Sequence, residues 1–467
     1  MKIVVTVHQF LPESLAGTEL IALGIAKELQ RRGHEVTVVA GYPEHQPRPD
    51  AQRFDRYVYE GLRVERFRHS FHPMGDQRVL AELSYDNRLF ARAFDAVLAE
   101  TQPDVVHFIH LARLSASLVE PCVQRGVPTV FTATDFWPVC AYSQLRLPGN
   151  GECAGPDALA LNCVRHFAAN RAARTMSIQG MAARAPDWML ALGVRAASSR
   201  SLPIAPGFAA EVRALSARQP FLRQQLNRID RILAPSRIMA RKLVDGGVAP
   251  HRIELLPYGI NLEGATRDIP RGSTQALRVG YIGSFAEHKG VEVAVNAVRR
   301  LLLTPRVELS ISGAPGQTDA CQAYYQRVLT LARGDARIRV LGAFPNSEVQ
   351  QRLASLDVLV VPSLWRENTP LVVYEAFAAG CPVIASDADG ISEVVQHDVN
   401  GLLFPTGDEG ALAACISRLA ADRTLLQRLA AGTQPPLSLP EHVSRLEEIY
   451  RELIVARVAT RQPQRPM

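Results

Sequence analysis

Trp365-Arg-Glu-Asn-Thr-Pro-Leu-Val-Val-Tyr-Glu-Ala-Phe-Ala-Ala-Gly-Cys-Pro-Val-Ile384, preceded by the apolar run Val358-Leu-Val-Val361, reads as strand, loop, helix and second strand. Four β-branched or leucine residues in a row suit a strand buried on both faces, as in a parallel sheet. A helix beginning near Pro370 follows, since proline is pre-set for the first helical turn and lacks an N–H that would be unpaired there anyway. The free N–H groups of Leu371 to Val373 then point back toward the loop, and such a helix end attracts anions. Glu367 lies on the loop and Glu375, eight positions later, inside the helix, so both carboxylates stand at one sheet edge. A phosphate at the helix start would set Glu375 one turn deeper, about where a ribose diol needs an ionised acceptor.

Working outward, the same alternation runs through the chain. Toward the N-terminus it gives strand Leu277–Ile282, helix Val291–Leu303, strand Val307–Ser312, helix Cys321–Ala332, strand Ile338–Leu341 and helix Ser347–Ala354. An earlier series gives strand Ile3–Val7, a helix from Gly17 to Arg32, and strands Glu35–Ala40, Val105–Ile109 and Thr129–Ala133. Strands alternating with helices over short connections predict parallel sheets covered on both faces. The restart after the polar stretch Asn261–Gln275 predicts two doubly wound domains, residues 1–262 and 276–432, with a final helix at about 440–458 packing back toward the first.

The loop Tyr281-Ile-Gly-Ser-Phe-Ala-Glu-His-Lys-Gly290 joins the first strand of the second domain to its helix, where an open α/β sheet binds phosphates. Its lysine is informative, because Lys2, Lys27, Lys242 and Lys289 stand beside 48 arginines. A compact ammonium on a diphosphate is a reason to have lysine at 289.

Gly283-Ser-Phe with Lys289-Gly290, the Glu367/Glu375 pair at Glu-x7-Glu spacing, and Pro382-Val-Ile-Ala-Ser-Asp387 together resemble the GT-B glycosyltransferases of the retaining family 4 type. The likeness continues through Gly17-Thr-Glu, Asp104-Val-Val-His107, Thr134-Asp-Phe-Trp137, Leu233-Ala-Pro-Ser236 and Pro257-Tyr-Gly-Ile-Asn261. It implies an α/β fold of two doubly wound Rossmann-like domains facing a cleft. It also implies a nucleotide-sugar donor of UDP or GDP type on the second domain, a glycan or lipid-linked acceptor on the first, and no cofactor for catalysis. On that pattern Glu367 meets donor-sugar hydroxyls, Lys289 the diphosphate and Glu375 the ribose, and His110 sits near the sugar. Gly17, Gly283, Ser284, Asn368, Thr369, Pro370 and Leu371 complete the donor site, and His107 and Asp135 the acceptor side. The chain departs from the pattern at Ser284, where the family has an arginine, at Thr134, where it has a histidine, and at Asp389, where it has a glycine. Ser284 and Thr134 leave a non-catalytic sugar-nucleotide binding or scaffold protein as the alternative.

Composition bounds the partners. Of 467 residues, 47% are apolar and 21% charged, as in a folded globular chain. The apolar runs are far shorter than the roughly 18 residues of a membrane span, and Ile3–Val7 is too short for a signal-peptide core, so a cytoplasmic protein is expected. The net charge of +6 is uneven, with 14 Lys and Arg against three acids between 163 and 242. This basic insertion, about 137–225, suggests helices lying on an anionic membrane face. Few aromatics and no recognition motif argue against nucleic acid. Within the insertion, Cys140, Cys153, Cys163 and His166 suggest a structural zinc knuckle, with buried unliganded thiols as the alternative.

Overall fold

Ile3 to Val7 are all buried, as a central parallel strand covered on both faces must be. The computed structural model describes the chain apart from residues 15, 148–150, 173–184, 199–205, 268–274, 303–305, 317 and 462–467. It divides into two units, Met1–Pro257 with the chain from Pro440 onward, and Tyr258–Leu439.

The first unit carries β1 (Lys2–Val7), β2 (Glu35–Glu44), β3 (Phe54–Tyr59), β4 (Leu62–Ser70), β5 (Val105–Phe108), β6 (Thr129–Thr132), β7 (Arg231–Ala234) and β8 (Ile253–Leu255). They lie in the order β3-β4-β2-β1-β5-β6-β7-β8. All neighbours are parallel except the β3/β4 hairpin, which the alternation did not reveal. The second unit carries β9 (Leu277–Ile282), β10 (Val307–Ser312), β11 (Ile338–Gly342), β12 (Val358–Val361), β13 (Val383–Ser386) and β14 (Gly401–Phe404), in the order β11-β10-β9-β12-β13-β14. In each sheet the chain winds outward one way and then the other, so strand order reverses between β1 and β5 and between β9 and β12. These are the crevices where open α/β sheets hold ligands.

The break in contacts falls at Pro257, ahead of the polar stretch Asn261–Gln275. Tyr258 is buried in the second unit, where its hydroxyl accepts from Asn368 Nδ2 (3.4 Å). Ile260 N–H bonds the Leu437 carbonyl and Leu439 N–H the Ile260 carbonyl, both at 2.9 Å.

The helix Leu439–Arg461 is held within the first unit from Pro440 on. Its Tyr450 is fully buried and its hydroxyl meets His107 Nδ1 at 2.6 Å, while His107 Nε2 meets Thr132 Oγ1 at 2.8 Å. Glu447 takes His34 (2.6 Å) and Arg32 (2.7 Å), and Arg445 pairs with Glu254 (2.8 Å). His107 is therefore a sheet residue that fastens a helix. This corrects its expected place on the acceptor side: a strand's buried interior gives it no open face.

The insertion between β6 and β7 contains helices Leu161–Ala172, Asp187–Ser198 and Pro206–Leu226 around a small core of Val164, Leu190, Val194, Ala197, Ala209, Val212 and Leu215. One of its arginines turns inward, and two that follow it pair with acids of other elements. Arg218 is buried, lies over the Trp137 ring (5.3 Å) and donates to the Trp137 carbonyl, and Arg228 and Arg231 pair with Glu120 and Glu254. Arg174, Arg184 and Arg200 lie outside the described residues.

Burial pushes the His107 imidazole down to about 3, with His442 adding to the shift; burial likewise lowers His69 and His442 to about 4. An unfolded histidine titrates near 6.5, so below that pH the unfolded state binds protons that the fold refuses. Stability contributed by these groups is full above about 6.5 and is lost as pH falls toward 3 to 4. Urea midpoints for the first unit are expected to drop between pH 7.5 and 5. Tyr450→Phe, which strips a buried imidazole of its partner, should cost about 1–3 kcal/mol at pH 7.5. An unchanged urea midpoint in that variant would contradict the fastening role.

Candidate donor and acceptor sites

Two loops meet at the crevice between β9 and β12. The first, from Gly283 to Gly290, ends in a short 3-10 turn, Glu287–Lys289. The second runs from Pro362 to Pro370. Leu364 N–H donates to the His288 carbonyl at 2.8 Å and ties them. Gly290 makes the approach feasible: its φ is +66°, and a Cβ there would lie 2.0 Å from the Pro362 carbonyl oxygen.

The contact places Lys289 Nζ 2.7 Å from Glu367 Oε1. The same oxygen accepts from Ser363 Oγ (2.8 Å) and Trp365 Nε1 (2.7 Å), and the ammonium also lies over the Trp365 ring at 5.2 Å. Burial alone would raise the Glu367 carboxyl; the Lys289 charge and these three donors more than offset it and hold it below the usual carboxylate range. Glu367 is thus a buried anion. All three donors converge on Oε1, and Oε2 has no hydrogen-bond partner among the described residues.

Glu375 is the opposite case. Its carboxyl has no hydrogen-bond partner among the described residues, and burial pushes it up to about 7. Pro370 is the N-cap of helix Leu371–Ala378, one position earlier than the first-turn place expected of it. Val373 N–H turns back to the Pro370 carbonyl (3.1 Å), so the N–H groups of Leu371 and Val372 are the open ones, and Val373 is withdrawn from the expected set. Asn368 and Thr369 are buried beneath the loop. Asp389 is bridged to Arg366 at 3.4 Å. It is Gly390, at φ +81°, that takes the left-handed conformation, so Asp389 in place of glycine strains nothing. Ser284 is exposed, its carbonyl accepting from the Tyr281 hydroxyl at 2.8 Å.

The β1/β5 crevice of the first unit holds a second constellation. Ala112 N–H donates to His110 Nδ1 (2.9 Å), so Nε2 carries the proton and faces Asp135 Oδ2 at 3.0 Å. Burial would raise Asp135, but His110 and the Trp137 N–H (2.7 Å) hold it below its ordinary range. His8, after β1, packs tilted against His110 with ring centres 4.4 Å apart and lies 3.4 Å from Glu19, which is fully buried in the helix that Gly17 opens. Burial, then His110 and Arg113, lower His8 well below its usual value. His8 Nδ1 and Glu19 Oε2 are buried without hydrogen-bond partners among the described residues.

The structure therefore brings Lys289, Glu367, Asn368 and Thr369 together in one unit and His110 and Asp135 in the other. Sequence reading missed Ser363, Trp365, Tyr258, His8 and Glu19. Trp365 stood in the decisive stretch, whereas nothing local marks His8 as a neighbour of His110. The zinc knuckle is not assembled. Cys140 and Cys153 are buried beside Cys163, but His166 stacks on Tyr142 at 4.0 Å. No group of three or more metal-ligating side chains is set to hold an ion among the described residues.

Two family models match these halves: glycosyl transferases group 1 over residues 276–422 and the glycosyl transferase 4-like domain over residues 16–203. Each half thus matches a glycosyltransferase domain model, and the two parallel α/β units have the GT-B fold. Among its relatives, the amylovoran biosynthesis glycosyltransferase AmsK of Erwinia amylovora is 32% identical over 48% of this chain and 54% of that one. The putative colanic acid biosynthesis glycosyltransferase WcaL of Escherichia coli is 28% identical over 56% of this chain and 66% of that one. The matches thus span about half to two thirds of these relatives' length. The fold is shared with Anabaena HepE, solved with UDP and glucose, at TM-score 0.62 and 16% identity over 97% of this chain and 99% of that one. It is also shared with sucrose-phosphate synthase from Thermosynechococcus elongatus, at TM-score 0.62 and 19% identity over 98% and 100% of the two chains.

A carboxyl raised from 4.5 to about 7 binds a proton in the fold that the unfolded chain has already released. The penalty is absent below pH 4.5, grows as pH rises to 7 and is full above it. Glu375→Gln should therefore raise the melting temperature at pH 8 and leave it unchanged at pH 4. Calorimetry showing no gain at pH 8 would contradict the burial of that carboxyl.

Proposed function

We propose that the chain is a retaining glycosyltransferase that moves a sugar from a UDP- or GDP-type nucleotide donor to a lipid-linked glycan in surface polysaccharide biosynthesis, with no metal or other cofactor. The observation that carries this reading is the Lys289–Glu367 pair at the β9/β12 crevice, with an unpartnered Glu375 in the adjoining helix. The relatives named for amylovoran and colanic acid biosynthesis support the pathway class, and HepE, solved with UDP, supports the donor class.

The chemistry follows from charge. As the nucleoside diphosphate leaves, negative charge grows on its oxygens, and fixed donors aimed there lower the barrier by about 2.7–4 kcal/mol for one good donor. Lys289 and the open N–H groups of Leu371 and Val372 fit that role. Lys289 is held by Glu367 in the unliganded site, so an incoming diphosphate competes for an ammonium that is already oriented. Glu367 Oε2 is left for a donor-sugar hydroxyl. Glu375, ionised by a ribose diol donating to it, binds the nucleoside. The acceptor oxygen attacks from the face the diphosphate leaves, with a departing phosphate oxygen taking its proton, so configuration is retained. His110 and Asp135 orient sugar hydroxyls.

Lys289→Ala is expected to lower kcat by about 10²–10³-fold with donor binding weakened less, and Lys289→Arg to recover only part of it. Glu375→Ala should abolish the thermal shift given by UDP- and GDP-sugars. Wild-type shifts in that variant would sink the assignment. Donor binding by the wild type with no transfer to any lipid-linked acceptor would favour the scaffold reading that Ser284 and Thr134 suggest.

A further inference from the structure

The helix Asp187–Ser198, Asp-Trp-Met-Leu-Ala-Leu-Gly-Val-Arg-Ala-Ala-Ser, already has a buried face. Leu190, Val194 and Ala197, at i, i+4 and i+7, pack with Val164, Ala209, Val212 and Leu215. A helix docked in this way ordinarily shows polar residues outward. This one shows Trp188, 66% exposed, Leu192, 56%, and Met189, 49%. Elsewhere among the described residues, large exposed apolar side chains are scattered singly or in pairs, which is normal for a surface; three within five residues is a patch.

Its surroundings are basic. Trp188, Leu192 and the exposed Arg195 share a face at i, i+4 and i+7. The one acid on the helix, Asp187, is neutralised by Arg165 at 2.6 Å. Lys and Arg outnumber acids 14 to three over 163–242, and setting aside the buried Arg218 and the ion-paired Arg228 and Arg231 leaves the sign unchanged. Indole at the outer turn with arginine beside it is the chemistry of the lipid headgroup boundary, where the ring reaches the acyl region and the guanidinium meets phosphate. No described helix is long and apolar enough to cross a membrane, so such a contact lies in the interface plane.

We propose that this face, centred on Trp188, Met189 and Leu192 with Arg195, docks the chain on an anionic phospholipid surface. The proposal rests on the reading above that the acceptor is lipid-linked, and names the element that meets the bilayer.

The test uses the full chain with vesicles of phosphatidylcholine alone and of phosphatidylcholine with phosphatidylglycerol. Sedimentation with the anionic vesicles is expected, weakening as salt rises, with little on the neutral ones. The chain has three tryptophans, and Trp137 is buried, so anionic vesicles should blue-shift emission and the shift should vanish in Trp188→Phe. Trp188→Ser with Leu192→Ser should lower vesicle affinity at least about tenfold while the nucleotide-sugar thermal shift stays at the wild-type value. Loss of that thermal shift in the wild type would strike the glycosyltransferase reading and not the docking. Equal binding to neutral and anionic vesicles, full binding by the double variant, or a dimer in solution that the double variant dissolves would overturn the proposal, the last by showing a second copy as the occupant.

Discussion

A carboxylate removed from water is tolerated only when cations and donors replace the water it lost, and Glu367 is such a group. Its Oε1 gathers an ammonium, a hydroxyl and an indole N–H from within one crevice. That convergence dictates the backbone around it. The β9 and β12 loops must approach closely enough for Lys289 to reach, which Gly290 permits. The loop after β13 must press on the other side, where a Cβ at Gly390 would lie 2.0 Å from the Glu367 carbonyl oxygen. Both glycines have positive φ, so their absence of a side chain and their backbone freedom serve the same contact.

The two units solve one topological problem twice and fill the result with different chemistry. In each, the sheet reverses direction at a pair of central strands, and the loops at that point carry the polar groups. The second unit sets a fixed cation and a depressed carboxylate there, suited to an anionic ligand. The first sets imidazoles and carboxylates there, with His110 Nε2 hydrogen-bonded to Asp135, suited to hydroxyl groups that both donate and accept. Neither arrangement is satisfied from within. His8 Nδ1 and Glu19 Oε2 are buried without hydrogen-bond partners among the described residues, and the half-buried Glu375 carboxyl has none either, so a ligand hydroxyl could satisfy each.

Charge by composition and charge by position diverge in the insertion. Its arginines suggest a membrane-facing basic surface, yet Arg218 is buried against Trp137, and Arg228 and Arg231 just beyond it bridge to other elements. What the insertion shows to solvent is more apolar than its composition suggests, because a small core takes one face of the helix Asp187–Ser198 and leaves Trp188, Met189 and Leu192 outside it.

The alternation of β-branched runs with helical periods determined the two doubly wound sheets, since each element's period is written in its own residues; β9, β10 and β12 stand where that pattern put them. The pairing of Lys289 with Glu367 was equally legible, because loops that follow neighbouring parallel strands lie at the same sheet edge. Tertiary structure alone decided the rest. His107 and His110 are three residues apart, and only the arrival of Tyr450 from the far end of the chain makes one a fastener while the other faces Asp135. The closeness of His8 to His110 and the turning of His166 away from the cysteines likewise depend on contacts between segments apart in sequence. Local pattern fixes which face of an element is buried, but not which partner covers it.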